Sequence, residues 1–111
     1  MTDYCENLKF KNAFRSLQDR VVQNSKNKGN YPKSKIEAYC DLMDEVEEFD
    51  DAYTPALSEK DTKELDPETE LADIVLTAMI KADINGWDLA GAIINKHNFN
   101  LTRPKRHKRC K

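Results

Sequence analysis

Between Asp66-Pro67 and Gly86 the chain carries Leu71, Ile74, Val75, Leu76, Ala78, Met79, Ile80 and Ala82. At about 3.6 residues per turn these positions cover most of a helix's circumference. A helix apolar nearly all round is either central in its domain or shared with a second subunit. Yet Glu70 and Asp73 lie in the same segment. A carboxylate beside so much apolar surface is costly unless it is paired or bound to a metal. The rest of the chain must therefore cover this helix and also provide for its acids.

The remaining segments read as helices too. Phe10, Phe14, Leu17 and Val21 step by four, three and four, which predicts a first helix over roughly residues 6–25. Asn27 to Pro32 has loop composition. Ser34 with Glu37 three residues later has the form of a capping box. From there Ile36, Tyr39, Met43, Val46, Phe49 and Tyr53 trace one apolar stripe, giving a second helix over about 35–53 that Pro55 ends. Residues 55–66 have no clear period and read as a loop. Asp66 is placed to cap the third helix, with Pro67 at its first position and Gly86 as its C-terminal cap near Asn85. Asp88 can cap a fourth helix holding Leu89, Ala90, Ile93 and Ile94, and Pro104 limits it to about residue 101. No segment alternates as a strand would, and no internal repeat is evident. The expectation is an all-α four-helix bundle in a single domain over residues 1–111, completed by dimerisation, with a basic C-terminal tail at about 102–111.

Charge is strongly segregated. Residues 37–73 hold fifteen of the twenty acids, with only Lys60 and Lys63 as bases, while Lys96 to Lys111 has seven bases and no acid. This pattern predicts an acidic site with a basic clamp, or an acidic body with a basic tail. Cys5, Cys40 and Cys110 form no CxxC pair, and neither His97 nor His107 is spaced with a cysteine as zinc ligands usually are. No early apolar run resembles a signal peptide and no stretch is long enough to span a membrane. A reduced, cytoplasmic setting is expected.

The acids concentrate into two pairs, Glu45-x-x-Glu48 on the second helix and Glu70-x-x-Asp73 on the third. Residues three apart share a helix face. On the second helix Asp41, Glu45, Glu48 and Ala52 lie together beside the apolar stripe, and on the third Glu70, Asp73 and Thr77 do. Two such faces brought together gather four carboxylates, which is unfavourable unless a cation joins them or some take up protons. Oxygen ligands at this density suit Mg²⁺ or Mn²⁺. The competing reading is a solvated acidic face, with Glu70 favoured by the helix dipole. Asp44, Glu47, Asp50 and Asp51 read as solvated surface in either case.

With those residues in place, the chain resembles the MazG-like nucleotide pyrophosphohydrolases of the all-α NTP pyrophosphatase group. The group's ExxE, spacer and ExxD blocks correspond to Glu45–Glu48 and Glu70–Asp73. The stretch from Asn85 through Gly86, Asp88, Leu89, Lys96, Asn100 and Arg103 to Pro104 matches its ending. The order and spacing of the three blocks agree over about residues 36–107. The chain departs at Glu47, where a glycine is frequent, and its first helix carries no pattern of the group.

The resemblance implies Mg²⁺-dependent hydrolysis of a nucleoside triphosphate, NTP or dNTP, to the monophosphate and pyrophosphate, as house-cleaning of the nucleotide pool, with Mn²⁺ as a substitute ion. It implies that Glu45, Glu48, Glu70 and Asp73 hold the metal and that Glu45 or Glu48 serves as general base. Lys96, Asn100 and Arg103 would contact phosphate oxygens, and the chain would form a homodimer or homotetramer with pockets near the interface. For Lys96 and Asn100 the rival reading is a helix C-terminus with a favourable cation, and Trp87 reads as core or subunit interface in preference to a base-stacking platform. Three alternatives remain in view. One is a nucleic-acid-binding module using the basic C-terminus, opposed by the acidic centre. Another is a non-catalytic nucleotide-binding helical protein. The third is phosphoribosyl-ATP pyrophosphohydrolase, which shares the acidic pattern but fits the Thr102-Arg103-Pro104 ending less well.

Overall fold

The computed structural model describes residues 4–53 and 66–104. The expected loop between the second and third helices, and the basic tail with His107 and Cys110, fall largely or wholly outside the described residues. Among the described residues there are four helices, in the order α1 (Tyr4–Asn27), α2 (Lys35–Tyr53), α3 (Pro67–Asn85) and α4 (Leu89–Thr102), and no strand. The arrangement is all-α and compatible with a four-helix bundle. No helix among the described residues is long and apolar enough to cross a membrane.

The helix boundaries follow from capping chemistry. Ser34 Oγ accepts the Glu37 N–H at 3.0 Å and starts α2. Asp66 accepts the Glu68 N–H at 3.1 Å and the Thr69 hydroxyl at 2.8 Å, and Pro67 needs no N–H partner in the first turn. Gly86, at φ 71°, ends α3 in a left-handed conformation that a side chain would oppose. Asp88 Oδ1 accepts the Gly91 N–H at 3.2 Å to begin α4, and also takes a 2.9 Å ion pair from Arg15 of α1.

The principal packing is α2 against α3; α1 lies against α3 and also meets α4. Small buried residues make the close approaches possible: Ala38 and Ala52 on α2, Ala82 on α3, Ala90 and Gly91 on α4. Met79 is the largest fully buried side chain, 1% exposed. Its backbone carbonyl accepts from Gln18 Nε2 at 2.8 Å, so α1 and α3 are joined at the same level by packing and by a hydrogen bond. Two further ties hold the α1–α2 turn and the start of α2 to α3. The Tyr31 hydroxyl donates to Asp83 at 2.6 Å, and Lys81 Nζ donates to the Lys35 carbonyl at 2.9 Å. Met79→Ala removes most of the largest fully buried side chain among the described residues and is expected to cost roughly 3 kcal/mol. Urea unfolding with an unchanged slope and a lower midpoint checks this.

The packing corrects one expectation. The apolar stripe of α2 does not face the core of this chain. Ile36 is 76% exposed and Tyr53 69%, with Tyr39, Met43 and Val46 also exposed and only Phe49 of that set half-buried. The inward face of α2 is instead Ala38, Glu45 and Ala52, seven residues apart, with Asp41 and Leu42 beside them. Small residues let α2 approach α3 closely, and that approach turns the acidic side inward and the stripe outward. On α3, Leu71 and Val75 are likewise exposed, and Trp87, at 62%, is not core.

Candidate metal centre

Glu45 projects from the middle of the inward face of α2, one heptad from Ala38 and one from Ala52. Glu70 and Asp73 occupy adjacent turns of α3, both half-buried. The α2–α3 packing brings these two sets together: one carboxylate oxygen from each of Glu45, Glu70 and Asp73 lies within 4.8 Å of the others. Glu48, one turn beyond Glu45 and exposed, adds its charge to that felt by both Glu45 and Glu70. All four residues expected from the sequence therefore meet, three as a tight trio and Glu48 at its rim.

Burial pushes Glu45 up to about 7, helped by the charges of Glu48, Asp73 and Glu70. Glu70 is also raised, first by desolvation and then by Glu48 and Asp73, and Asp41 by desolvation and then by Glu37 and Asp44. Glu45 Oε2 and Glu70 Oε2 are buried and accept no hydrogen bond. Unpaired buried acceptors of this charge are costly, and a cation would supply what both lack.

These shifts give stability a pH dependence of definite sign. Below about pH 4.5 the Glu45 carboxyl is protonated in folded and unfolded chain alike. Between there and about 7 the folded chain keeps the proton and the unfolded chain loses it. Folding is therefore favoured at the acid end of this window and weakens as pH rises through it. Discounted for the partial exposure of the site, the loss is on the order of 1 kcal/mol. Thermal unfolding in EDTA from pH 5 to pH 8 checks it, and a midpoint that rises across this range contradicts it.

A cavity of about 420 Å³ adjoins Glu45 and Glu48, while Glu70 and Asp73 are not among its lining residues. Glu45, Glu48, Asp41 and Asp44 line it from α2, and Leu76, Thr77 and Ile80 from α3. Its other wall is the last two turns of α1 and the following turn: Val21, Asn24, Ser25, Lys28, Asn30 and Pro32. Sequence reasoning did not assign this wall. The available signal was the spacing Val21, Asn24, Ser25, Lys28, which continues the face begun by Phe14 and Leu17 into polar residues.

Lys96 and Asn100 line a different cavity of about 410 Å³ on α4, with Leu89, Ala92, Ile93 and His97. Lys96 Nζ lies 4.9 Å and Arg103 Cζ 5.6 Å from the centre of the Phe99 ring, a cation–π arrangement that holds both cations near one exposed aromatic. The three expected phosphate contacts thus gather on one part of α4, but the two cavities share no lining residue. Within one chain, Lys28 is the cationic side chain among the described residues that line the carboxylate cavity.

No family model matches the chain, and no similar curated protein or solved structure is found.

Proposed function

We propose that the chain is a Mg²⁺-dependent nucleoside triphosphate pyrophosphohydrolase that cleaves NTP or dNTP to the monophosphate and pyrophosphate. The observation that carries this reading is the trio of Glu45, Glu70 and Asp73 oxygens within 4.8 Å, with buried, unpartnered oxygens on Glu45 and Glu70; Glu45 also lines a ligand-sized cavity. The donor set is all carboxylate, which fits a hard divalent ion, Mg²⁺ or Mn²⁺, and not zinc or copper. When bound, such an ion neutralises phosphate charge and lowers the pKa of water.

The chain's own residues do the rest. Glu45, Glu70 and Asp73 would hold the ion from two helices. Glu48, at the rim, completes the carboxylate set, and Glu45 or Glu48 accepts the proton of the attacking water. Leu76, Ile80 and Val21 provide an apolar lining that limits bulk water.

A homodimer, alone or within a homotetramer, belongs to the same proposal. The outward stripe of α2 and the exposed Leu71 and Val75 of α3 form apolar surface that a second copy would cover. Such an assembly makes α4 of one copy available to the carboxylate cavity of the other, and Lys96, Asn100 and Arg103 would then meet phosphate oxygens there. Charge supports it, since the acidic α2 is complementary to Lys96 of α4 and to Arg103 just after it.

The reading is tested by incubating the protein with a panel of NTPs and dNTPs in Mg²⁺ or in EDTA and following pyrophosphate release. Release in Mg²⁺ alone supports it. Nucleotide binding without release would favour a non-catalytic nucleotide-binding protein, and salt-sensitive nucleic-acid binding without release would favour the basic C-terminus as the functional surface.

A further inference from the structure

The C-terminal end of α4 gathers two cations around one ring. Lys96, Phe99 and Arg103 follow at intervals of three and four, so they share one side of the helix end. Lys96 Nζ lies 4.9 Å and Arg103 Cζ 5.6 Å from the ring centre, both within the range over which an aromatic face attracts a cation. Neither cation has a carboxylate partner among the described residues, where the ion pair is Arg15–Asp88. Lys96 also lines the α4 cavity, together with Asn100. Phe99 itself is 48% exposed, so its ring adds little to the core.

The backbone settles where Arg103 starts but not where its guanidinium goes. Its N–H donates to the Phe99 carbonyl at 3.1 Å, and the Thr102 hydroxyl donates to the same carbonyl at 3.2 Å. Arg103 then leaves the helix in an extended conformation, at φ −81° and ψ 144°. Lysine and arginine side chains both carry large rotamer freedom, which is lost when they grip a ligand. A ring that already restrains both cations reduces that loss.

We infer that Phe99 is a positioning residue whose ring holds Lys96 and Arg103 together as one clamp for the oxygens of a polyphosphate. The inference rests on the pyrophosphohydrolase reading, which assigns those two cations to phosphate, and adds the group that orders them. The attraction comes from the charge distribution of the aromatic face, so an aliphatic side chain of similar bulk does not replace it. Ordering the clamp helps the bound substrate and the transition state alike, and therefore acts on KM and not on kcat.

The experiment measures KM and kcat for triphosphate turnover, and calorimetric binding of inorganic pyrophosphate in Mg²⁺. The chains compared are the unaltered one, Phe99→Leu, Phe99→Tyr, and Lys96→Gln with and without Phe99→Leu. Phe99→Leu is expected to raise KM and weaken pyrophosphate binding about fivefold, with kcat little changed. Phe99→Tyr keeps the ring and should match the unaltered chain. In the Lys96→Gln background the Phe99→Leu effect should shrink, because the ring then acts on Arg103 alone. Circular dichroism verifies that the variants stay helical. A loss that Phe99→Tyr shares, or one undiminished in the Lys96→Gln background, marks a packing role and overturns the inference. Turnover with a KM that Phe99→Leu leaves unaltered overturns the inference and leaves the reaction standing. Pyrophosphate binding with the expected dependence on the ring, in a chain that turns over no triphosphate, upholds the clamp and removes the reaction. Neither binding nor turnover overturns both together.

Discussion

Asp73→Asn and Glu45→Gln are each expected to lower kcat for pyrophosphate release by at least about 100-fold, with helical content unchanged. Each replaces a charged oxygen of the trio with a neutral amide of nearly the same shape, so packing is preserved while the affinity for a hard cation falls. The two changes should act in opposite directions on turnover and on stability. Desolvation, and then the like charges of Glu48, Asp73 and Glu70, raise the Glu45 pKa to about 7, so removing its charge relieves both costs at pH 8. In EDTA at that pH, Glu45→Gln should melt above the unaltered chain. In saturating Mg²⁺ the order should reverse, because only the unaltered chain gains from binding the ion to its folded state. Steady-state turnover and thermal unfolding, each with Mg²⁺ and with EDTA, check the four combinations. Full turnover in Asp73→Asn would remove the metal centre from the mechanism.

Met43→Lys is expected to convert a dimer into a monomer and to reduce turnover with it. Met43 is exposed within one chain, between Tyr39 and Val46 on the outward stripe of α2. Placed at the centre of an apolar interface, a lysine would have to lose hydration without a partner, a penalty of several kcal/mol that a modest interface cannot offset. The isolated fold has little to lose, since the side chain points away from the α2–α3 packing. Sedimentation velocity should show about half the mass at unchanged helicity. A chain that is monomeric before the substitution, or a Met43→Lys variant that remains dimeric, argues against this face as the interface.

Much of the architecture is legible in the sequence because it is written in local chemistry. Ser34, Asp66, Pro67, Gly86 and Asp88 mark helix ends through side-chain hydrogen bonds and backbone preferences that act within one turn, and the structure realises each. The meeting of Glu45, Glu48, Glu70 and Asp73 was legible for a related reason: two acidic pairs at helical spacing, one of them on a nearly all-apolar helix, leave few ways to pack. The orientation of α2 was less accessible. Periodicity identifies its apolar stripe but not what covers it, and the inward face is set by Ala38 and Ala52, whose small size permits close approach without marking the sequence as strongly as Ile36 or Tyr39 do. The wall of Asn24, Lys28 and Asn30 was also missed, since residues that line a cavity across helices acquire their proximity only from the tertiary arrangement. For the same reason helical spacing could place Lys96 beside Asn100 but could not say whether they face Glu45 of the same chain, and the structure puts them on a separate cavity.

The most direct test of the metal-centred reaction is the identity of its products by phosphorus NMR, with the preferred triphosphate incubated in Mg²⁺ and in EDTA. The account predicts resonances of a nucleoside monophosphate and pyrophosphate in Mg²⁺, growing in equal amounts, and unreacted triphosphate in EDTA. Orthophosphate with a nucleoside diphosphate, or the same products at the same rate in EDTA, would contradict it.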